Sequence, residues 1–178
     1  MTQPTNDPSA ENERLKRIME RGARTTLDTK RRFAAPAARL QARRPIVVDI
    51  AGTDDLTKEL AAADTEVHVV LDLEQPTAPD FAALVFLNTP DATANTPLTA
   101  PGYAGAIAFF GSSDANDHHS ANPSIRLSVT GVIRKLGATS GFTATLVPVP
   151  YSGRSSGRQT VTVTASLEVV VSKVVKNS

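Results

Sequence analysis

The segment Thr160-Val-Thr-Val-Thr-Ala-Ser-Leu-Glu-Val-Val-Val171 decides the fold. Apolar residues occupy every second position from Val161 to Val171, and threonine, serine and glutamate fill the positions between them up to Glu168. Successive side chains of a strand point to opposite faces of a sheet. The alternation therefore predicts a β-strand with one buried face and one wetter face.

Shorter segments after residue 45 show similar strand-like patterns. Further strands are predicted at 46–50, 67–72, 81–87, 104–110, 125–130 and 142–147, and a short helical turn is predicted around 54–63. Clusters of proline, glycine, asparagine and aspartate separate the runs, and helical periodicity is almost absent. Such a pattern predicts an all-β fold, an antiparallel, jelly-roll-like β-sandwich over residues 46–178.

Residues 1–45 differ from the sandwich in charge. Of the 19 lysines and arginines of the chain, 11 lie within residues 14–44, beside only two acidic residues. An amphipathic pattern predicts a short helix near 8–21. Its thin apolar stripe consists of Leu15, Ile18 and Met19. Because Pro36 and Pro45 interrupt the remainder of this region, we predict a basic N-terminal arm that is extended or poorly ordered after its helix.

The composition excludes several classes of function. The chain has no cysteine, so disulfides, thiolate metal sites and cysteine nucleophiles are ruled out. It has neither a Gly-x-Ser-x-Gly elbow nor a glycine-rich phosphate cradle ending in Lys-Ser/Thr. No run approaches the roughly 20 apolar residues of a membrane helix. We therefore expect a chain without enzymatic activity of its own and without a membrane partner.

The N-terminus gives little sign of targeting. Residues 1–13 are polar and acidic, unlike a signal peptide. Arg31-Arg32-Phe33 is similar to a twin-arginine signal, but Pro36 and Arg39 break the apolar stretch that such a signal requires. The localisation is therefore expected to be cytoplasmic or is left unknown.

Four stretches, taken together, carry a resemblance to a known family. They are Phe81-Ala-Ala-Leu-Val-Phe-Leu-Asn88, Tyr103-Ala-Gly-Ala-Ile-Ala-Phe-Phe-Gly111, Ile125-Arg-Leu-Ser-Val-Thr-Gly-Val-Ile-Arg-Lys-Leu-Gly137 and Thr145-Leu-Val-Pro-Val149. In order and spacing they resemble the C-terminal domain of the tyrosinase and polyphenol oxidase family, over residues 66–171. The Lys-Phe-Asp-Val signature of that family falls on Ala82-Ala83-Leu84-Val85 here. The contacts that the lysine and aspartate of this signature make in the family are therefore not expected in this chain.

The resemblance implies a sandwich that packs over the mouth of a di-copper site and shields it during maturation. It also implies that one loop side chain enters the mouth as a placeholder for substrate, and that copper belongs to a partner domain or subunit. A type-3 copper centre needs six imidazoles, because each copper takes three nitrogen ligands. The three histidines of this chain, His68, His118 and His119, are too few. The chain is accordingly expected to bind no cofactor itself.

Candidate site residues fall in three groups. His118 and His119, beside Asp117, lie in the polar loop 111–123 and are candidates for transient copper capture or partner contact, the alternative being a solvated loop. Tyr103 is a candidate partner contact, or else a packing residue. Four arginines are candidates for docking on an acidic partner surface, namely Arg31, Arg32, Arg43 and Arg44.

Two other functions remain open from the sequence. A structural, self-assembling coat-like protein would combine a jelly-roll body with a nucleic-acid-binding basic arm. Few aromatic side chains for base stacking accompany the basic residues, apart from Phe33. A generic binding sandwich is the third possibility, and no residue indicates its ligand.

Overall fold

The computed structural model of the chain describes residues 24–50, 52, 55–74, 81–108, 123–151 and 160–175. The elements in these ranges are, in chain order, β1 (Arg24–Ala34), β2 (Ala38–Gln41), β3 (Ile46–Ile50), α1 (Thr57–Ala61), β4 (Thr65–Glu74), β5 (Phe81–Leu87), β6 (Tyr103–Ala108), β7 (Ser124–Ser128), α2 (Thr130–Leu136), β8 (Phe142–Pro150) and β9 (Thr160–Val175). In the described part of the chain, no helix is long and apolar enough to cross a membrane.

The strands form two antiparallel sheets. In the five-stranded sheet the order is β1-β9-β4-β7, and β2 pairs with β9 beyond the end of β1. The four-stranded sheet has the order β3-β8-β5-β6. The predicted all-β sandwich is confirmed. β9 is the longest strand, with 16 residues, and bonds to strands on both sides.

The core lies between the two sheets. On β9 the inward positions from Val161 to Val169 are buried, and those of β4 from Val67 to Leu73 face the same core. The opposite sheet contributes buried side chains that include Phe81, Phe142 and Leu146. Valine, leucine, isoleucine and alanine make up most of this core.

The boundary between arm and sandwich was predicted too late in the chain. β1 and β2 lie within residues 1–45, yet both pair with β9: Arg32 lies opposite Glu168, and Leu40 lies opposite Val161. The arginine-rich composition of β1 hides its strand character, because pairing with the distant β9 supplies the stabilisation that local propensity does not. The sandwich therefore includes residues 24–45. The helix predicted near 8–21 falls outside the described residues.

The predicted strand at 125–130 ends early. β7 stops at Ser128, and α2 begins at Thr130. The Thr130 hydroxyl accepts a 2.8 Å hydrogen bond from the backbone N–H of Val67, and Ile133 is buried in the core. Gly137 ends the helix with φ +63°, a conformation that glycine adopts without strain. α2 thus follows directly after β7 and contributes Ile133 to the core between the sheets.

We expect core truncation to be costly and surface truncation to be tolerated in the four-stranded sheet. Leu146 is fully buried on β8, whereas Val47 of the neighbouring β3 is 48% exposed. Leu146→Ala should lower the free energy of unfolding by about 2–5 kcal/mol, since it removes buried methylene groups and leaves a cavity. Val47→Ala should cost less than about 1 kcal/mol. Urea denaturation measures both, and equal losses would contradict this account of the core.

Candidate functional site

The loop 88–102, which joins β5 to β6, covers the outer face of the four-stranded sheet. Ala92 of the loop is buried in a small cluster with Phe86 and Val147. The ring of Phe86 also meets the ring of Tyr103, at a centroid distance of 5.4 Å and an angle of 57°. Tilted aromatic pairs of this kind are favourable beyond their buried area. The loop is thus anchored by its own apolar contacts.

Hydrogen bonds fix the loop at both ends. Asn88 has φ +46°, a region that asparagine tolerates better than most residues. Its backbone N–H donates to the carbonyl of Thr143 at 3.0 Å, and its side-chain oxygen accepts from the N–H of Thr143 at 2.8 Å. At the far end, the N–H of Leu87 donates to the carbonyl of Gly102 at 2.7 Å. The loop therefore starts and finishes on rigid strands.

Turns stiffen the middle of the loop. Backbone N–H groups of Thr96, Ala100 and Tyr103 each donate to the carbonyl three residues earlier, at 2.9 to 3.0 Å. The Thr96 hydroxyl also accepts from the N–H of Thr93 at 2.8 Å. Each bond closes one turn of chain, so the loop has a defined shape without regular secondary structure.

Leu98 stands out on this rigid loop. Its side chain is 57% exposed and lies between Pro97 and Pro101. Other large apolar side chains exposed in the described residues are Leu27 and Val47, which lie on strands, and Tyr151, which comes after β8. An apolar side chain held on an ordered loop binds a pocket without a large loss of conformational entropy on binding. Leu98 is therefore the best candidate for an apolar docking contact.

Tyr103 and the histidines are placed differently. Tyr103 is half-buried against Phe86, in a packing position beneath the loop. His118, His119 and Asp117 lie outside the described residues, so their predicted roles stay predictions. No group of three or more His, Cys, Asp or Glu side chains within the described ranges is arranged to hold a metal ion.

The candidate arginines Arg31 and Arg32 form ion pairs with other elements of the sandwich. Arg31 donates from Nη1 to Oε1 of Glu59 at 2.9 Å, and its guanidinium lies 4.9 Å from the ring centroid of Phe33. The hydrogen bond from Arg31 lowers the pKa of Glu59. Arg31 thereby ties β1 to α1.

Arg43 and Arg44 come after β2 in an exposed turn, in which the N–H of Arg44 donates to the carbonyl of Gln41 at 3.2 Å. Arg31 and Arg32 thus lie on β1, whereas Arg43 and Arg44 lie in the turn after β2.

Arg32 belongs to a charged network on the outer face of the five-stranded sheet. At its centre is Glu168, whose side chain is only 3% exposed. Arg126 donates from Nη1 to Oε2 of Glu168 at 2.6 Å, and Nη1 of Arg32 lies 3.6 Å from Oε1. Arg32 also donates to Asp72 at 2.9 Å. A buried carboxylate without such partners would be strongly destabilising, so the arginines hold the charge in place.

His68 lies beside this network. It pairs with Glu168 across β4 and β9, and its Nε2 is 2.9 Å from Oε2 of Glu66. Its side chain is buried, although it lies on the face that the alternation marks as wetter. Ser166 and Val170 on the same face of β9 are buried as well. The prediction of one wetter face therefore holds only for the Thr160 to Thr164 half of β9, which is half-exposed.

Comparison with known proteins gives a likeness of fold. No protein-family model matches the chain, and no curated protein matches it. Among solved structures, latent aurone synthase, a polyphenol oxidase, aligns with a TM-score of 0.51 and 16% identity over 76% of this chain. Latent apple tyrosinase aligns with a TM-score of 0.50 and 18% identity over 75% of this chain. The two-sheet fold is shared.

The chain spans about a quarter of the length of these proteins, 26% and 27% respectively. That extent is consistent with their C-terminal domain, the part to which the four sequence stretches point. At 16% and 18% identity the likeness concerns the fold alone. It agrees with the resemblance drawn from Phe81 to Val149, and it leaves the role of the chain to be proposed.

Leu98 was not among the residues singled out from the sequence. A single leucine in a proline-rich loop has no periodicity, so hydrophobic patterning cannot distinguish it from ordinary loop residues. One signal was available: Pro97 and Pro101 bracket it, and paired prolines restrict the backbone and favour a stiff turn. The ion pairs of Arg31 and Arg32 have no such signal, because their partners are 28 and 40 residues away.

We expect Gly102→Ala to displace the loop. A Cβ at this position would collide with the hydroxyl of Thr89 and the carbonyl oxygen of Leu87. The free energy of unfolding should fall by about 1–3 kcal/mol, as in other overpacked sites. The matched control is Gly131→Ala in α2, where a Cβ meets nothing within 4 Å, and a gain of about 0.5–1 kcal/mol is expected. Urea denaturation distinguishes them, and an undisturbed Gly102→Ala protein would contradict the close approach.

We expect the buried carboxylate of Glu168 to depend on Arg126. Arg126→Met should lower the free energy of unfolding by about 2–3 kcal/mol, less than a fully stranded charge costs because Arg32 stays close. Adding Glu168→Gln should recover part of the loss, since a neutral amide needs no counter-charge. Arg39→Met, at an exposed position of β2, is the control. A double-mutant cycle by chemical denaturation measures the coupling, and simple additivity would show that the ion pair contributes nothing.

Proposed function

We propose that this chain is a non-catalytic shielding domain or subunit of a type-3 copper oxidase of the tyrosinase and polyphenol oxidase family. The observation that carries the proposal is the likeness of its fold to about a quarter of latent aurone synthase and of latent apple tyrosinase. In this role the chain covers the entrance to the di-copper site of a partner. Its mechanism is steric, so release of the chain raises activity without altering the chemistry.

The histidine content supports a division of labour between this chain and its partner. The di-copper centre requires six imidazole ligands, and the whole chain has three histidines. Copper chemistry would thus be carried by the partner. The sandwich would supply a rigid surface that covers the copper site of the partner.

The loop 88–102 is the part of the described surface best suited to enter the copper entrance. It is anchored through Ala92 and braced by Asn88, so it can insert without rearranging. The side chain of Leu98 at its exposed tip has the size and apolar character that substrate pockets accept. Because leucine has no metal-binding atom, it would fill the entrance without ligating copper. These properties are those of a substrate placeholder.

The test compares Leu98→Asp with Leu27→Asp. Both leucines are exposed, but Leu27 lies on β1, away from the loop. Each tagged variant and the unchanged chain are used to capture partners from the native source. Captured protein is analysed for copper and for diphenol oxidase activity, before and after release from this chain. We expect a copper protein whose activity rises several-fold on release, and about tenfold less capture by Leu98→Asp, equivalent to about 1.4 kcal/mol.

Two results would overturn the proposal, and a third would overturn only the assignment of the docking surface. Nucleic acid or large particles without copper would favour a coat-like structural protein instead. A captured copper oxidase whose activity is unchanged on release would show association without shielding. Equal capture by Leu98→Asp and the unchanged chain, with a loss for Leu27→Asp, would move the docking surface from the loop to β1.

A further inference from the structure

The loop 88–102 leaves one part of the outer face of the four-stranded sheet open. It packs on the outward side chains of Phe86 and Val147 and on part of Leu84. The other outward side chains of β5 and β6, and the last one of β8, do not belong to this cluster and are exposed or half-buried. These residues, which form the open apolar face, are Ala82, Ala106, Ala108 and Val149.

The three strands that carry this face contain no charged residue. β5 is apolar at all 7 of its positions, and β6 and β8 have no Asp, Glu, Lys, Arg or His. An antiparallel sheet with one face in water usually alternates apolar and polar residues, whereas strands covered on both faces are apolar throughout. The outward positions of the five-stranded sheet do carry charges, for example Glu66, Asp72 and Arg126. The apolar outward positions of β5, β6 and β8 therefore indicate a face that becomes covered.

Large exposed apolar side chains also concentrate on this sheet. Four such side chains occur in the described part of the chain, and three of them belong to the sheet or to segments that continue its strands. Val47 points outward from β3, Leu98 lies on the loop, and Tyr151 directly follows β8. The fourth, Leu27, lies on β1 of the other sheet. A concentration of exposed apolar surface on one sheet is typical of a protein–protein contact.

We propose that the open apolar face and Leu98 dock together on an uncharged surface of the copper oxidase, whose bulky apolar side chains fill the space above the alanines. This docking mode rests on the proposed function, and it extends the docking surface from the loop to the sheet itself.

The position of the loop favours the oxidase as the occupant. Because the loop packs on outward side chains of the same sheet, Leu98 and the open apolar face lie on one side of the sandwich. Alanine side chains extend little beyond the backbone, so they leave room for large partner side chains to pack as densely as in a protein interior. The chain spans about a quarter of latent aurone synthase and of latent apple tyrosinase, so the rest of such a protein is large enough to cover this face.

A second copy of this chain fits the open apolar face less well. The loop lies above the sheet, so the loop of a second copy would meet this face first. Side chains exposed on the loop include Asp91, Thr93, Asn95 and Thr99. The open apolar face offers them no hydrogen-bonding side chain, so they would lose water without gaining partners. A different protein can place polar groups opposite the loop and apolar groups opposite the sheet.

The absence of cysteine in the chain allows a direct footprint. Ala106→Cys places one thiol on the open apolar face, and Ser124→Cys places one at an exposed position of β7 on the other sheet. The captured complex, identified by its copper content and diphenol oxidase activity, is treated with N-ethylmaleimide before and after release. Mass spectrometry follows the labelling of this chain.

We expect the Ala106→Cys thiol to react about tenfold more slowly in the complex than after release, because the centre of an interface excludes water. The Ser124→Cys thiol should change by less than about twofold, since a typical interface covers only a small share of a protein's surface.

A charge at the same position gives a second measurement. Ala106→Lys should reduce capture of the copper oxidase about tenfold, since the ammonium group would be buried against an apolar surface. The matched control Ser124→Lys adds the same charge to an edge strand of the other sheet and should leave capture within about twofold. Circular dichroism checks that each variant keeps its β-sheet content.

Three outcomes would overturn this docking mode, and they differ in what they imply. Equal reactivity of Ala106→Cys before and after release, with Leu98→Asp still weakening capture, would confine docking to the loop and leave the proposed function intact. Protection of Ala106→Cys in the purified chain alone, lost on dilution, would make a second copy the occupant. Absence of a copper oxidase from the captured protein would overturn the proposed function, and the docking mode with it.

Discussion

The pairing of β9 on both of its edges is the constraint on which the rest of the structure depends. Its 16 residues bond to β4 on one side, and to β1 and then β2 on the other. A one-residue slip would turn Val161 to Val169 out of the core and bring threonine and glutamate in, so the register is strongly specified. β1 pairs with the C-terminal part of β9 and β2 pairs with its N-terminal part. The register of β9 therefore also determines where these two N-terminal strands lie in the sheet.

Much of this arrangement could be predicted from local sequence, and the failures have a common physical cause. The alternation in β9 and the apolar runs at 81–87 and 142–147 are local signals, and these strands are confirmed. β1 has arginine and threonine where a strand usually has apolar residues, and its place is decided by pairing with residues more than 130 positions away. An alternating pattern only assigns each residue to one face of the strand or the other. It therefore cannot show that Glu168 is buried beside its arginine partners.

The candidate site was less accessible to sequence reasoning than the fold. A docking surface depends on which side chains remain exposed after folding, and that property emerges only when the loops are placed. Tyr103 is prominent in the sequence motif but lies half-buried against Phe86, whereas the inconspicuous Leu98 is exposed. The arginines look equivalent in the sequence, yet Arg31 and Arg32 are engaged in ion pairs that stabilise the sandwich.

The outer faces of the two sheets serve different purposes. The four-stranded sheet is covered by its own loop 88–102, which leaves a rigid outer surface with Leu98 at its tip. On the five-stranded sheet, the outer face carries a buried glutamate between two arginines and a half-open row of acidic residues. A partner that docks through the loop therefore need not disturb the charged face. The two surfaces can act independently, although they share one core.

The edges of the sheets bear on how the protein behaves at high concentration. Among the described strands, four of the five edge strands, β2, β3, β6 and β7, are only four to six residues long. The fifth, β1, has 11 residues, and its register shifts between Thr29 and Arg31, at the exposed Lys30. Short edges, an irregularity and a lysine all discourage another chain from adding a strand. The sandwich is thus protected against edge-to-edge polymerisation and amyloid-like aggregation, even when no partner covers it.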